Sequence, residues 1–109
     1  MDWLPDVCYF FGGAFLANAV PHFVSGVMGR PFQTPLAKPP GQGLSSSSVN
    51  VLWGFANLVA AYLLLCRFGT YDIQAWPDVA ATGAGMLMMG LFASRTFGRF
   101  NGGNVPKDG

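Results

Sequence analysis

VCYFFGGAFLANAVPHFVSGVMG, residues 7–29, is 23 residues long and contains no Asp, Glu, Lys or Arg. A helix needs about 20 mainly apolar residues to cross roughly 30 Å of hydrocarbon, so this stretch is long enough to span a membrane. Two further uncharged stretches follow, VNVLWGFANLVAAYLLLC at 49–66 and VAATGAGMLMMGLFAS at 79–94. We therefore expect three transmembrane helices joined by short polar segments.

The predicted fold class is an all-α integral membrane protein, formed by a single three-helix domain over residues 1–109. The expected spans lie near residues 6–29, 48–67 and 77–96. Between the first two we expect a Pro/Gly-rich loop at 30–47, and after the third a flexible tail at 98–109.

The third uncharged stretch is the shortest, with only 16 residues. It reaches spanning length if Trp76 and Pro77 extend its start and Arg95 snorkels from its end. A soluble helical domain is the alternative. It is disfavoured because a chain of 109 residues has too little polar surface to cover three helices that are apolar all round.

The positive charges predict the orientation of the chain. With three spans, loop 30–47 and the C-terminal tail lie on one side, and they carry Arg30, Lys38, Arg95, Arg99 and Lys107. Arg67 stands alone on the other side. The positive-inside rule then places the N-terminus outside and the C-terminus in the cytoplasm, as in a bacterial inner membrane protein whose main partner is the lipid bilayer. Cations this dispersed form no extended basic groove, which argues against nucleic-acid binding.

Five polar side chains lie inside the first two predicted spans, where an unpaired polar group is costly. They are Asn18, His22, Ser25, Asn50 and Asn57. At about 100° per residue, the polar residues of each span fall within an arc of about 60°, which forms one intramembrane polar face per helix.

The two polar faces should meet, because spans one and two run antiparallel. Asn18 and Asn57 lie at the middle of their spans, so we expect a contact between them, with His22 packed over Gly54. Pro21 removes the hydrogen bond that its nitrogen would give to the Ala17 carbonyl, so the first helix should be kinked there.

A stripe of small residues on the third span indicates close helix packing. Gly83 and Gly90 fall on one face, together with Leu87 and Ser94, and would let a second backbone approach closely.

Loop 30–47 contains hydrophobic residues and candidate lipid contacts. Phe32 and Leu36 suggest that the loop lies against the membrane surface or the helices rather than free in water. Arg30, Lys38, Ser47 and Ser48 are candidate contacts for anionic lipid, since helix amides and cations together can hold a phosphate. An ordinary N-cap formed by a residue of 45–48 is the favoured alternative.

No metal, cofactor or catalytic residue is expected. His22 is the chain's single histidine, and it could ligate haem only if a second chain or an unusual partner supplied the other axial ligand, so a hydrogen-bonded structural histidine is favoured. A copper(I) path formed by His22 with Met86, Met88 and Met89 is disfavoured, because the three methionines point in different directions around a helix. Cys8 and Cys66 fall at different angles around their helices, so we expect two free thiols, with Cys66 facing lipid or another subunit.

Three classes of function stay open at this stage. The first is a non-enzymatic protein that acts by association, as a homo-oligomer or as an accessory subunit of a membrane complex. The second is an oligomeric transporter or pore for small solutes, lined by the face that bears Asn18, His22 and Asn57. The third, an enzyme acting on lipids or quinones, is disfavoured because the sequence shows no Ser/His/Asp set or metal-ligand spacing.

Overall fold

Three α-helices and one short antiparallel β-ladder make up the part of the chain that the computed structural model describes, residues 3–104. The helices are α1 (Leu4–Val27), α2 (Ser47–Cys66) and α3 (Trp76–Asn101). The ladder pairs β1 (Phe32–Gln33) with β2 (Leu44–Ser45). The predicted loop 30–47 is therefore a hairpin.

Helix boundaries follow from local chemistry. α1 and α3 each have a proline in the first turn, where a missing N–H costs nothing. The Ser46 hydroxyl accepts a hydrogen bond from the Val49 N–H at 3.2 Å, which confirms that a serine of 45–48 caps α2. α3 ends at Gly102, whose φ of 79° is the left-handed conformation that terminates many helices.

Two helices, α1 and α2, are long and apolar enough to cross a membrane by length and composition. α3 is long enough, with 26 residues, but it is not among the helices that are also apolar enough, so the third span stays a prediction. α1 is helical through Pro21, and the predicted kink also stays a prediction. Residues 98–101 of the predicted flexible tail belong to α3, while 105–109, including Lys107, lie outside the described residues.

The helices form a layer with α1 in the middle. α2 runs antiparallel to α1, because a Cβ on Gly26 would lie 2.7 Å from the Ser47 carbonyl oxygen and one on Gly12 would lie 2.7 Å from Leu65 Cγ. α3 lies on the other side of α1, and α2 and α3 make few contacts with each other. The layer is open on both faces, unlike a closed three-helix bundle.

α3 runs parallel to α1 and contacts it at two levels. Near its start, Gly85 lies against the Phe10 carbonyl, and Gly13 of α1 lies against the Thr82 carbonyl. Near its end, the Phe97 ring lies 5.7 Å from the His22 ring. α3 therefore lies beside α1 from about Phe10 to His22.

The prediction of helix packing at Gly83 and Gly90 is wrong within this chain. Both residues are exposed, and a Cβ on either would meet no atom within 4 Å. Gly85 makes the close contact instead. It lies two residues from Gly83, about 200° around the helix, so the predicted stripe points away from α1.

Candidate functional site

A cluster of buried polar side chains lies where the hairpin folds back onto the ends of the helices. Thr34 is fully buried and Gln33 is 4% exposed. The Thr34 hydroxyl lies 2.6 Å from the Ser45 hydroxyl and accepts a hydrogen bond from the Leu36 N–H at 3.1 Å. The first strand of the hairpin is thus tied both to the second strand and to its own turn.

Asn50 joins the hairpin to α2. Its side chain is fully buried, and its Nδ2 donates to the carbonyls of Phe32 at 3.1 Å, Ser45 at 3.1 Å and Ser46 at 3.0 Å. Because three carbonyl oxygens surround Nδ2, they fix which end of the Asn50 amide carries the nitrogen. The reversed amide would turn Oδ1 toward three carbonyl oxygens.

His22 brings α1 into the same cluster. It is 1% exposed, and its Nδ1 lies 3.0 Å from Asn50 Oδ1. Because Oδ1 can only accept, Nδ1 must carry the proton of this hydrogen bond, which leaves the Nε2 lone pair free in the neutral ring. The rings of Phe32, Trp53 and Phe97 surround the imidazole edge-on, at centroid distances of 5.5, 6.4 and 5.7 Å.

Nitrogen-15 NMR of histidine-labelled protein is expected to show the Nδ1–H tautomer of His22. The chain has one histidine, so the spectrum needs no assignment. Asn50→Leu removes the acceptor and should shift the population toward the Nε2–H tautomer. A dominant Nε2–H form in the unmodified protein would contradict the amide orientation described above.

A second polar contact joins α1 and α2 near the middle of both helices. Asn18 Nδ2 donates to Asn57 Oδ1 at 3.0 Å, and Asn57 Nδ2 donates to the Trp53 carbonyl at 2.8 Å. The predicted contact between the two asparagines is confirmed. Ser25 is half-buried and forms no side-chain hydrogen bond among the described residues, so it does not join either group.

Gly54 packs closely against α1, as predicted, but its nearest neighbour is Phe23 rather than His22. A Cβ on Gly54 would lie 2.7 Å from the Phe23 backbone nitrogen, so the backbone of the next residue makes this close approach. His22 bonds instead to Asn50, which lies about one turn before Gly54 on the same face of α2.

We expect Asn18→Ala, Asn57→Ala and the double substitution to give a coupling energy of about 0.6 kcal/mol, the mean for hydrogen bonds between membrane helices. Reversible unfolding by denaturing detergent measures each free energy. A coupling energy near zero would mean that the hydrogen bond between Asn18 and Asn57 adds no net stability.

The remaining residues singled out from the sequence lie on the periphery. Arg30, Lys38 and Ser48 are exposed and Ser47 is half-buried, so their role as lipid contacts stays a prediction. Cys8 is buried, Cys66 is exposed, and both are free thiols as predicted.

Some members of the cluster were missed by the sequence reasoning. Asn101 Nδ2 donates to Gln33 Oε1 at 3.2 Å and to the Phe97 carbonyl at 2.9 Å, so α3 also contacts the hairpin. The two residues lie 68 positions apart, and only the hydrophobic residues of the loop signalled that it would fold back.

The hydrogen bonds of the cluster hold the helices and the hairpin together. Asn50 of α2 and Asn101 of α3 donate hydrogen bonds to the hairpin. His22 of α1 bonds to Asn50 and so connects this helix to the same group. Within residues 3–104, no three His, Cys, Asp or Glu side chains are grouped so that they could hold a metal ion.

No protein-family model, curated protein or solved structure matches this chain.

Proposed function

We propose that the chain is an integral membrane protein with three spans that acts by association, as a homo-oligomer or as an accessory subunit of a membrane complex. Its N-terminus lies outside, and the hairpin and the end of α3 lie on the cytoplasmic side. The proposal of a third span is supported by the parallel packing of α3 along α1, because a helix beside a spanning helix shares its depth. A helix of 26 residues is about 39 Å long, enough to cross the hydrocarbon.

The distribution of side chains supports a membrane environment. Buried positions hold mainly small or polar residues, while large apolar residues are exposed, including Leu52 at 70%, Leu87 at 65% and Phe92 at 64%. Extended apolar surface of this kind is unfavourable in water. In lipid the same distribution is expected, because small residues mediate helix packing and apolar residues meet the acyl chains.

The open layer is the observation that carries the proposal of association. Because α2 and α3 lie on opposite sides of α1 and hardly touch, both faces of the layer present α1 between its neighbours. Phe11 and Phe15 of α1 remain 50% and 38% exposed there. Such a layer encloses no solute path by itself, and it offers broad surfaces to other helices.

The hydrogen bonds count against the alternative of a pore lined by Asn18, His22 and Asn57. A solute path needs polar groups that face a lumen, whereas Asn57 and His22 are 3% and 1% exposed and bonded within the chain. Flux through liposomes reconstituted with Asn57→Ala protein separates the two functions. Association predicts no specific flux with either protein, and a flux lost on substitution would favour the pore.

The native mass after extraction in a mild detergent tests the association. We expect a defined assembly heavier than one 11.6 kDa chain with its detergent and lipid, formed by copies of the chain or by co-purifying subunits. Cross-linking in the original membrane, before extraction, controls for dissociation by detergent. A single chain in both measurements would contradict the proposal.

A further inference from the structure

Two neighbouring concavities on one face of the layer share the side chain of Phe92. The first, of about 430 Å³, lies between α1 and α3 and is lined almost entirely by apolar atoms, among them those of Phe15, Met88 and Met89. The second, of about 800 Å³, surrounds the last turns of α3. Its lining residues are Phe92, Arg95, Thr96, Arg99, Gly103 and Asn104.

One helix face connects the two concavities. At about 100° per residue, the lining residues of α3 between Gly85 and Arg99 fall within about 60° of the direction of Phe92. This face is apolar up to Phe92, and it becomes cationic one turn later at Arg95 and Arg99. An apolar surface followed by a cationic one complements an anionic lipid, whose acyl chains are followed by a charged headgroup.

The length of the face matches one leaflet of a bilayer. Fourteen residues separate Gly85 from Arg99, which is about 21 Å of helix. Half of a bilayer with its headgroups measures about 20–22 Å. A lipid with its headgroup at the arginines would therefore extend its chain along the whole apolar groove.

The charges of the second concavity are not neutralised by the described residues. Its lining contains two guanidinium groups and no carboxylate, and no ion pair forms within residues 3–104. Arg99 lies over the Phe100 ring at 5.3 Å, and the Asn104 amide donates to the Arg95 carbonyl at 3.0 Å. Like charges four residues apart on a helix repel each other, so an anion between them would be stabilising.

We propose that this face binds an anionic phospholipid, with its phosphate between Arg95 and Arg99, near the Thr96 hydroxyl, and an acyl chain in the groove between α1 and α3. The proposal rests on the three-span arrangement proposed above. It differs from the lipid contacts expected at Arg30 and Lys38, which lie before and within the hairpin rather than on α3.

Native mass spectrometry of protein titrated with long-chain phosphatidylglycerol tests the site. We expect the double substitution Arg95→Gln/Arg99→Gln to weaken binding at least about tenfold, because each basic residue near a lipid surface contributes a factor of about five in affinity. Arg30→Gln/Lys38→Gln is the matched control, since it removes the same charge from the same proposed side. Equal weakening by both pairs would overturn the specific site and indicate general charge attraction.

Two further measurements separate the sources of the anion and protect against misfolding. Phosphatidylcholine should bind more weakly than phosphatidylglycerol, and inorganic phosphate at equal concentration should not displace the lipid. Displacement by phosphate alone would mean a free-phosphate site and overturn the lipid proposal. Arg95→Lys/Arg99→Lys keeps the charge and should retain most of the binding, while loss in this variant as well would contradict the charge-based argument.

Failure of this inference is distinguishable from failure of the proposed topology. Labelling of cysteines introduced at positions 42 and 104 reports the side of the membrane on which each lies. If residue 104 lies on the side opposite the hairpin, the three-span arrangement fails. If labelling places them together and the glutamine pair leaves lipid binding unchanged, only the lipid site fails.

Discussion

Gly85→Val is expected to separate α3 from α1 and to lower the free energy of unfolding by about 3 kcal/mol, the upper part of the usual range for overpacking. The added Cβ would overlap the Phe10 carbonyl, which belongs to the helix backbone and cannot rotate away. Unfolding of purified protein in mixed micelles, titrated with denaturing detergent, gives the measurement.

Gly83→Val and Gly90→Val are the matched controls, because they add the same side chain to the same helix. A Cβ at either position meets no atom within 4 Å, so we expect changes below about 1 kcal/mol. Equal destabilisation at positions 83 and 85 would contradict the packing of α3 described here.

Asn50→Leu should release the hairpin while the helices remain folded. The substitution removes the Asn50 amide from the Phe32 and Ser45 carbonyls and from the His22 Nδ1–H, whereas the Ser46 carbonyl keeps the backbone N–H of residue 50. Each buried group left unpaired costs about 1–3 kcal/mol. We expect amide hydrogens of residues 32–45 to exchange at least about 30 times faster, which corresponds to about 2 kcal/mol. Hydrogen–deuterium exchange with mass spectrometry measures this directly.

Asn57→Leu provides the control on the same helix. Asn57 is also buried, and its hydrogen bonds run to Asn18 and to the Trp53 carbonyl rather than to the hairpin. Its replacement should leave exchange in residues 32–45 unchanged. Faster exchange in both variants would mean that loss of any amide in α2 loosens the whole molecule.

The sequence predicted the local features that depend on short-range chemistry. The cap of α2 among residues 45–48 follows from N-cap preferences, and the contact between Asn18 and Asn57 follows from equal depth on antiparallel helices. These inferences needed only local residue preferences and the antiparallel order of two neighbouring helices.

The features that depend on rotation about a helix axis were not predictable in the same way. Gly83 and Gly85 are two residues apart, and no sequence pattern selects which of them faces α1. Gly54 was correctly expected to pack against α1, but its nearest neighbour there is Phe23 rather than the adjacent His22.

The hairpin posed a different difficulty, because its bonds cross long stretches of chain. The contact between Gln33 and Asn101 spans 68 residues, and the bond from Asn50 to the Phe32 carbonyl appears only after the loop has folded back. Phe32 and Leu36 indicated that the loop would pack somewhere, without indicating where.

Cysteine labelling of three single-site variants tests the three-span topology most directly. Gln42→Cys in the hairpin, Gln74→Cys before α3 and Asn104→Cys after it all replace exposed residues, and Cys8→Ala/Cys66→Ala provides the background. In intact cells, a membrane-impermeant maleimide should label position 74 only, with 42 and 104 reacting after permeabilisation. Labelling of 104 together with 74 would show that α3 does not cross the membrane, and labelling of all three in intact cells would show that neither α2 nor α3 crosses it.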